Sequence, residues 1–198
     1  MAEPVRKGEI QRKTSETEVF VSFELDGIGN YQIDTEIPFL GHMLSLFTMH
    51  SLTNLTITAR GDINVDYHHT VEDIGICLGQ TLGQAVGDKK GINRYGSALV
   101  PMDEALAQVV IDMSGRSFID FNVDFPTETI GNFPTELFEE FFRAVASNAG
   151  MTLHIDVLKG TNSHHMIEAV FKALGRALQV ACSIDPKMDG VWSTKGKL

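Results

Sequence analysis

A histidine pair followed one helical turn later by a glutamate occurs twice in this chain, as His68-His69-Thr70-Val71-Glu72 and as His164-His165-Met166-Ile167-Glu168, 96 residues apart. Each copy follows a loop-like stretch and opens a segment with helical periodicity, so the imidazoles and the carboxylate project from the first turn of a helix. The same offset carries Leu78, Gly79, Leu82 and Ala85 onto Leu174, Gly175, Leu178 and Ala181. An offset of 98 carries the Phe39 to Leu44 helix onto Leu137 to Phe142, placing His42 on Glu140, and carries Leu55-Thr56-Ile57 onto Leu153-His154-Ile155. An offset of 88 carries Ser15-Glu16-Thr17 onto Asp103-Glu104-Ala105. Offsets that drift by loop-sized steps define a duplicated supersecondary unit, and they exclude a short-period solenoid.

The duplication restricts the fold further when the elements of each unit are read in order. Val19 to Leu25 is β-branched and aromatic and ends at Asp26-Gly27, a strand and a turn, with Arg6 to Thr14 and Tyr31 to Thr35 as neighbouring strands. Pro38 starts an amphipathic helix with Leu40, Met43, Leu44 and Phe47 on one face, ending near His50. Leu55 to Ala59 is a strand, and the first His-His helix runs to about Gly87. The second half predicts strands near Gly96 to Val100, Glu104 to Asp112 and Ser117 to Val123, then a helix from Pro134 to about Asn148. A strand from Met151 to Leu158 and a helix from Ser163 to about Cys182 complete it, with residues 124–133 as the main loop. Each unit is βββαβα, so the fold class is α+β, with two four-stranded sheets and helices packed against them. The expected organisation is one domain over residues 1–198, with halves of about 1–92 and 93–182 and a tail over 183–198.

The chain's 198 residues, 43% hydrophobic and 21% charged, suit one globular domain. No run approaches the ~18 apolar residues that would span a bilayer, and the start lacks the apolar core of a secretion signal, so a cytoplasmic protein without membrane contact is expected. A net charge of -10 argues against a nucleic-acid partner, because phosphate-backbone binding needs an extended basic face. Cys77 and Cys182 lie in apolar helical stretches and read as buried free thiols. His154, on a strand, reads as structural.

Adjacent helical residues point about 100° apart, so His68 and His69 cannot easily serve one ion. The simplest use of each pair gives one imidazole to each of two metals. His69 and Glu72 then join His42 and one of His164 or His165; symmetrically, His165 and Glu168 join Glu140 and His68. Such nitrogen-rich sets with carboxylate oxygen and open octahedral positions suit manganese or iron(II) better than closed tetrahedral zinc. Arg94, Arg116, Lys172 and Lys195 fall at element ends or beside these motifs, where converging cations could hold an anionic small molecule. A dinuclear phosphoesterase and a non-catalytic metal-binding shell are the alternatives consistent with these features. The first would bridge its ions with carboxylates ~3.5–4 Å apart, which the alternating imidazoles do not favour. The second leaves the cations without a role.

The sequence also resembles the imidazoleglycerol-phosphate dehydratases of histidine biosynthesis, over nearly the whole chain. The resemblance is carried by Phe39 to Leu44, by Gly61-Asp62 through Asp73, by Gly91 to Gly96, by Pro101 to Ala105, by Ser114-Gly115-Arg116, by Ser163 through Ala173, and by Ser193 to Gly196. It implies a duplicated fold, two Mn²⁺ per active site and a homo-oligomer of roughly 24 subunits with sites built between them. It also implies manganese-dependent dehydration of imidazoleglycerol phosphate to imidazole acetol phosphate. The proton to be lost is expected on a carbon attached to the imidazole, with no carbonyl beside it, so the ring must serve as electron sink, with the metal as Lewis acid and template. Glu16 and Asp103 are then candidates for proton transfer, beside His68, Glu72 and Glu168. Arg94, Arg116, Lys172, Ser193, Thr194 and Lys195, with His50, are candidates for holding the substrate and its phosphate. Three residues depart from the commoner pattern: Glu140 in place of His, Tyr67 in place of an acid, and Gly41 in place of Asp or Asn.

Overall fold

The computed structural model describes residues 5–197. Strands β1 (Lys7–Lys13), β2 (Thr17–Glu24), β3 (Tyr31–Thr35) and β4 (Asn54–Gly61) form one four-stranded sheet in the order β1-β2-β4-β3. A second sheet repeats that order with β5 (Tyr95–Met102), β6 (Ala105–Asp112), β10 (Thr152–Lys159) and β7 (Phe118–Asn122), as β5-β6-β10-β7. Helix α1 (Pro38–Ser51) links the parallel pair β3 and β4, and α3 (Leu137–Ala149) links the parallel pair β7 and β10. Helices α2 (His68–Val86) and α4 (Ser163–Cys182) follow the last strand of each sheet. The duplicated unit is therefore built twice, in register.

Period-two alternation makes the sheets: Val19, Val21 and Phe23 on β2 are fully buried while Glu18 faces outward. The helices bury one stripe each, such as Leu40, Met43, Leu44 and Phe47 on α1. Helix α2 lies on β1 and β2, and α4 on β5 and β6, while across the halves α1 packs on α4 and α2 on α3. The helices thus form a layer between two sheets. Gly8 and Gly96 permit this layer to close, since a Cβ at either would fall 2.2 Å from the Thr81 carbonyl oxygen or 2.0 Å from that of Ala177. Those contacts are equivalent in the two halves.

Two expectations are corrected. Pro134 does not begin a helix; it lies in β9 (Phe133–Pro134), paired with β8 (Thr129–Ile130). Thr135 ties this ribbon together through its amide and hydroxyl on the Glu128 carbonyl, and α3 begins only at Leu137. Proline is tolerated in so short a ribbon because no further strand requires its missing N–H. The stretch 124–133 is accordingly a flap, fastened to the start of α4 by a 2.7 Å hydrogen bond between Thr127 Oγ1 and Ser163 Oγ. Cys77 and Cys182 are both buried and unpaired, and burial pushes their thiols up to about 11 and about 12. No helix among the described residues is long and apolar enough to cross a membrane.

Candidate metal centre

Both His-His motifs open their helices, and in each pair the imidazoles diverge, with ring planes 85° apart for His68/His69 and 77° apart for His164/His165. Asn162 caps α4, accepting from the amides of His164 and His165, so the start of that helix is fixed by its own side chain. At the start of α2, Asp66 Oδ1 accepts from the His68 amide.

Because α1 lies on α4, His42 meets the first turn of the other half. His42, His164 and Glu168 bring two ring nitrogens and a carboxylate oxygen within 4.8 Å of one another. His164 Nε2 stands 3.6 Å from Glu168 Oε2, and Lys172 Nζ holds the other carboxylate oxygen at 2.9 Å. Within one chain, then, His42 groups with α4 and not with His69 and Glu72. The reason is the crossed packing of the helices. The repeat counterparts Glu140, His68 and Glu72 do not approach one another as closely; Glu140 lies 4.0 Å from Arg143 Nε. A cavity of about 300 Å³ lined by Thr127, Thr129, Ile130, Asn162, Ser163 and His164 adjoins the His42 trio, beneath the flap.

The outer imidazoles have carboxylate partners. His69 Nδ1 lies 3.0 Å from Asp62 Oδ2 and 3.8 Å from Glu16 Oε2. His165 Nδ1 lies 2.8 Å from Glu104 Oε2 and 4.0 Å from Asp103 Oδ2. Donation from the His69 ring to Asp62 holds that ring above its ordinary value, and donation to Glu104 does the same for His165. Glu104 in turn falls to about 2, chiefly through His165 and also through the amides of Thr161 and Asn162. With Nδ1 engaged, Nε2 of each ring is the nitrogen left to face an ion, an arrangement typical of metal-binding histidines. Neither Asp62 nor Glu104 stands out from the sequence alone as a site residue. The 88-residue offset that pairs Glu16 with Glu104 was the available signal for the second.

The expected substrate residues are dispersed over one chain. Arg116, Thr194 and Lys195 are exposed. Arg94 is buried, with Nε and Nη2 on the Asp112 carboxylate at 2.6 and 2.9 Å and Nη1 on the Trp192 carbonyl oxygen. The Ser193 hydroxyl accepts from the Lys195 amide at 3.2 Å. His50 Nδ1 contacts the Leu46 carbonyl oxygen at 2.8 Å, and His154 Nδ1 lies 3.4 Å from Asp120. Lys172 sits on Glu168, beside the metal-type trio.

This fold and site define a class: a duplicated α+β protein that presents imidazoles and carboxylates from paired helix starts. The family model for imidazoleglycerol-phosphate dehydratase matches residues 35–178. The chain is 65% identical over 190 residues to the imidazoleglycerol-phosphate dehydratase of Syntrophomonas wolfei, covering 96% of each, and 58% identical to that of Bacillus subtilis, covering 98% of this chain and 100% of the relative. Among solved structures it is similar to the Staphylococcus aureus enzyme, with a TM-score of 0.82 at 47% identity over 90% of this chain and 99% of that one. The Pyrococcus furiosus enzyme in complex with (S)-C348 gives a TM-score of 0.83 at 36% identity, covering 96% and 100%. The chain belongs to the imidazoleglycerol-phosphate dehydratase family, a family of hydro-lyases.

Proposed function

We propose that this protein converts imidazoleglycerol phosphate to imidazole acetol phosphate and water, a step of histidine biosynthesis in the cytoplasm, with two Mn²⁺ per active site. The observation that carries the metal part of this reading is the convergence of His42, His164 and Glu168 from opposite halves of the chain. Two imidazole nitrogens and one carboxylate oxygen fit manganese(II), which accepts such mixed donors and keeps further positions open. Glu168 is 9% exposed, and Lys172 balances its charge. His68, Glu72 and Glu140 would form the second set. His69 and His165, each backed by a carboxylate, would complete sites across subunit boundaries in an assembly of roughly 24 copies.

The product carries its ketone one carbon away from the ring, so the hydroxyl leaves the ring-bearing carbon and the proton leaves the neighbouring carbon, not the ring-bearing one expected above; the resulting enol tautomerises to the ketone. Bound Mn²⁺ would supply Lewis acidity and a template for the ring and a hydroxyl. Glu16, 3.8 Å from the His69 ring, would carry a proton, and so would Asp103, which is the repeat counterpart of Ser15 and lies 4.0 Å from the His165 ring in the other half. The exposed Arg116 and Lys195, with Ser193 and Thr194, would grip the phosphate and orient the reacting end.

The test strips metal with a chelator, restores Mn²⁺ and follows formation of imidazole acetol phosphate. Manganese-restored turnover is expected; manganese binding with no turnover would overturn the enzymatic reading. Arg116→Ala is expected to raise KM with metal content unchanged, and a metal-depleted Arg116→Ala protein would reassign that residue.

A further inference from the structure

We propose that the buried Asp73 and Thr17, together with the partly exposed Arg12, position the Glu16 carboxylate, and that this group makes one half of the duplicated site functionally distinct from the other. The proposal rests on the assignment of proton transfer to Glu16 made above.

The contacts run from helix to turn. Arg12 Nε donates to Asp73 Oδ1 at 2.8 Å, and the Thr17 hydroxyl donates to Asp73 Oδ2. Asp73 is 6% exposed and Thr17 4% exposed. Thr17 closes a tight turn with Thr14, whose amide donates to the Thr17 carbonyl at 2.9 Å. The Thr14 hydroxyl accepts from the amides of Glu16 and Thr17, at 3.1 and 3.0 Å, and lies 3.2 Å from the Thr17 hydroxyl. Glu16 stands at the tip of this turn. Asp73 lies on α2 one helical turn beyond His69, so the same carboxylate fixes the turn relative to the helix that carries the imidazole.

The second half lacks all three groups. Strand register places Arg12 opposite Val19 and Val100 opposite Ala107, so Val100 is the counterpart of Arg12. The same offset of 88 sets Ala105 against Thr17, and the offset of 96 sets Ala169 against Asp73. Ala105 and Ala169 are 1% and 0% exposed. The unit therefore folds with Val, Ala and Ala at these positions, and the fold does not demand the polar group. Burying a carboxylate costs desolvation that apolar residues avoid, so its presence on one side calls for a role other than stability. Glu104, the counterpart of Glu16, is engaged with His165 and two backbone amides, whereas Glu16 stands 3.8 Å from its ring. Two metal-type sets drawn from repeat-related helix starts, differing at His42 against Glu140, do little by themselves to tell one end of an unsymmetrical substrate from the other. A Glu16 held by its turn 3.8 Å from the His69 ring, with ligand atoms of Glu16, Asp62 and His69 within 4.8 Å of one another, on one side and a Glu104 hydrogen-bonded to its ring on the other can.

The test compares four variants of the manganese-loaded enzyme: Asp73→Ala, Asp73→Asn, the triple Arg12→Val/Thr17→Ala/Asp73→Ala, and Glu16→Gln. Asp73→Ala leaves Arg12 without its partner and is expected to lower the denaturation midpoint, while the triple variant, which installs the second half's own residues, is expected to recover it. Both are expected to lose about 10- to 100-fold in kcat with KM and manganese content unchanged, the cost of a displaced catalytic group. Asp73→Asn still accepts from Thr17 and is expected to fall between the parent and Asp73→Ala. It decides the matter should the triple variant fail to fold. Parental kcat in the folded triple variant, or in Asp73→Asn if the triple does not fold, overturns the proposal. So does activity lost in step with manganese. If Glu16→Gln keeps parental kcat, the proton-transfer assignment falls first; if Glu16→Gln is inactive and the triple variant is not, only the positioning role falls.

Discussion

His69 and His165 each turn Nδ1 toward a carboxylate, Asp62 at 3.0 Å and Glu104 at 2.8 Å. These partners are not equivalent in the repeat: Glu104 pairs with Glu16, and Asp62 lies in the loop after β4. Since such a contact fixes both ring orientation and tautomer, Asp62→Asn and Glu104→Gln are each expected to weaken Mn²⁺ binding about 10- to 100-fold. Calorimetric titration of the apo-protein reads this directly, and unchanged affinity would make the contacts incidental. Cys182 has a different consequence. Burial pushes its thiol from 9.0 up to about 12, so the native chain keeps a proton that the unfolded chain loses. Its contribution to stability is complete below 9.0 and declines as pH climbs toward about 12. Cys182→Ala should therefore flatten the loss of urea midpoint between neutral pH and pH about 10; a slope equal to the parent's would count against this account.

At the scale of elements, hydrophobic periodicity made the strands and helices legible, because Val19, Val21, Phe23 and the Leu40-to-Phe47 stripe are buried as their spacing requires. The repeat offsets made the equivalences legible too, but equivalence is not contact. Nothing in an offset of 96 or 98 says that α1 crosses to α4, and within one chain that crossing brings His42 to His164 and Glu168. Pro134 misled for a local reason: a proline before an apolar run suits a first helical turn and a ribbon edge alike. The crossing itself can be tested at Gly175, where an added Cβ would fall 2.6 Å from the Phe47 carbonyl oxygen and 2.9 Å from the Ser51 amide nitrogen. Gly175→Ala must push α4 off α1 and is expected to cost about 1–3 kcal/mol of stability. Manganese affinity should fall with it, because the trio straddles that interface. Parental affinity in Gly175→Ala would show that the trio tolerates helix displacement.

At the scale of the whole molecule, the tail is sewn to the body next to the second sheet. Ile184 bridges to Ile92, the Gly91 amide donates to the Gly190 carbonyl at 2.8 Å, and the Arg94 guanidinium joins Asp112 to the Trp192 carbonyl. Arg94 adopts a left-handed φ of 69°, unusual for a residue with a side chain, and its amide and carbonyl are both hydrogen-bonded, to Ala181 and Met113. Its place in the sequence marks Arg94 as a candidate phosphate contact; the folded chain gives it an anchoring duty as well, visible only once β6 brings Asp112 alongside. Three of its five N–H groups are taken, which leaves two for a ligand. Residues 193–195 follow directly from the anchored carbonyl, so the anchor sets where Ser193, Thr194 and Lys195 stand. Trp192 is the chain's single tryptophan and is partly exposed, making its emission a reporter of this joint. Asp112→Asn, by loosening the guanidinium, is expected to shift that emission to the red, speed proteolysis of the tail and raise KM for the phosphate substrate while sparing kcat. A raised KM with emission and proteolysis unchanged would separate substrate binding from tail anchoring and return Arg94 to the phosphate alone.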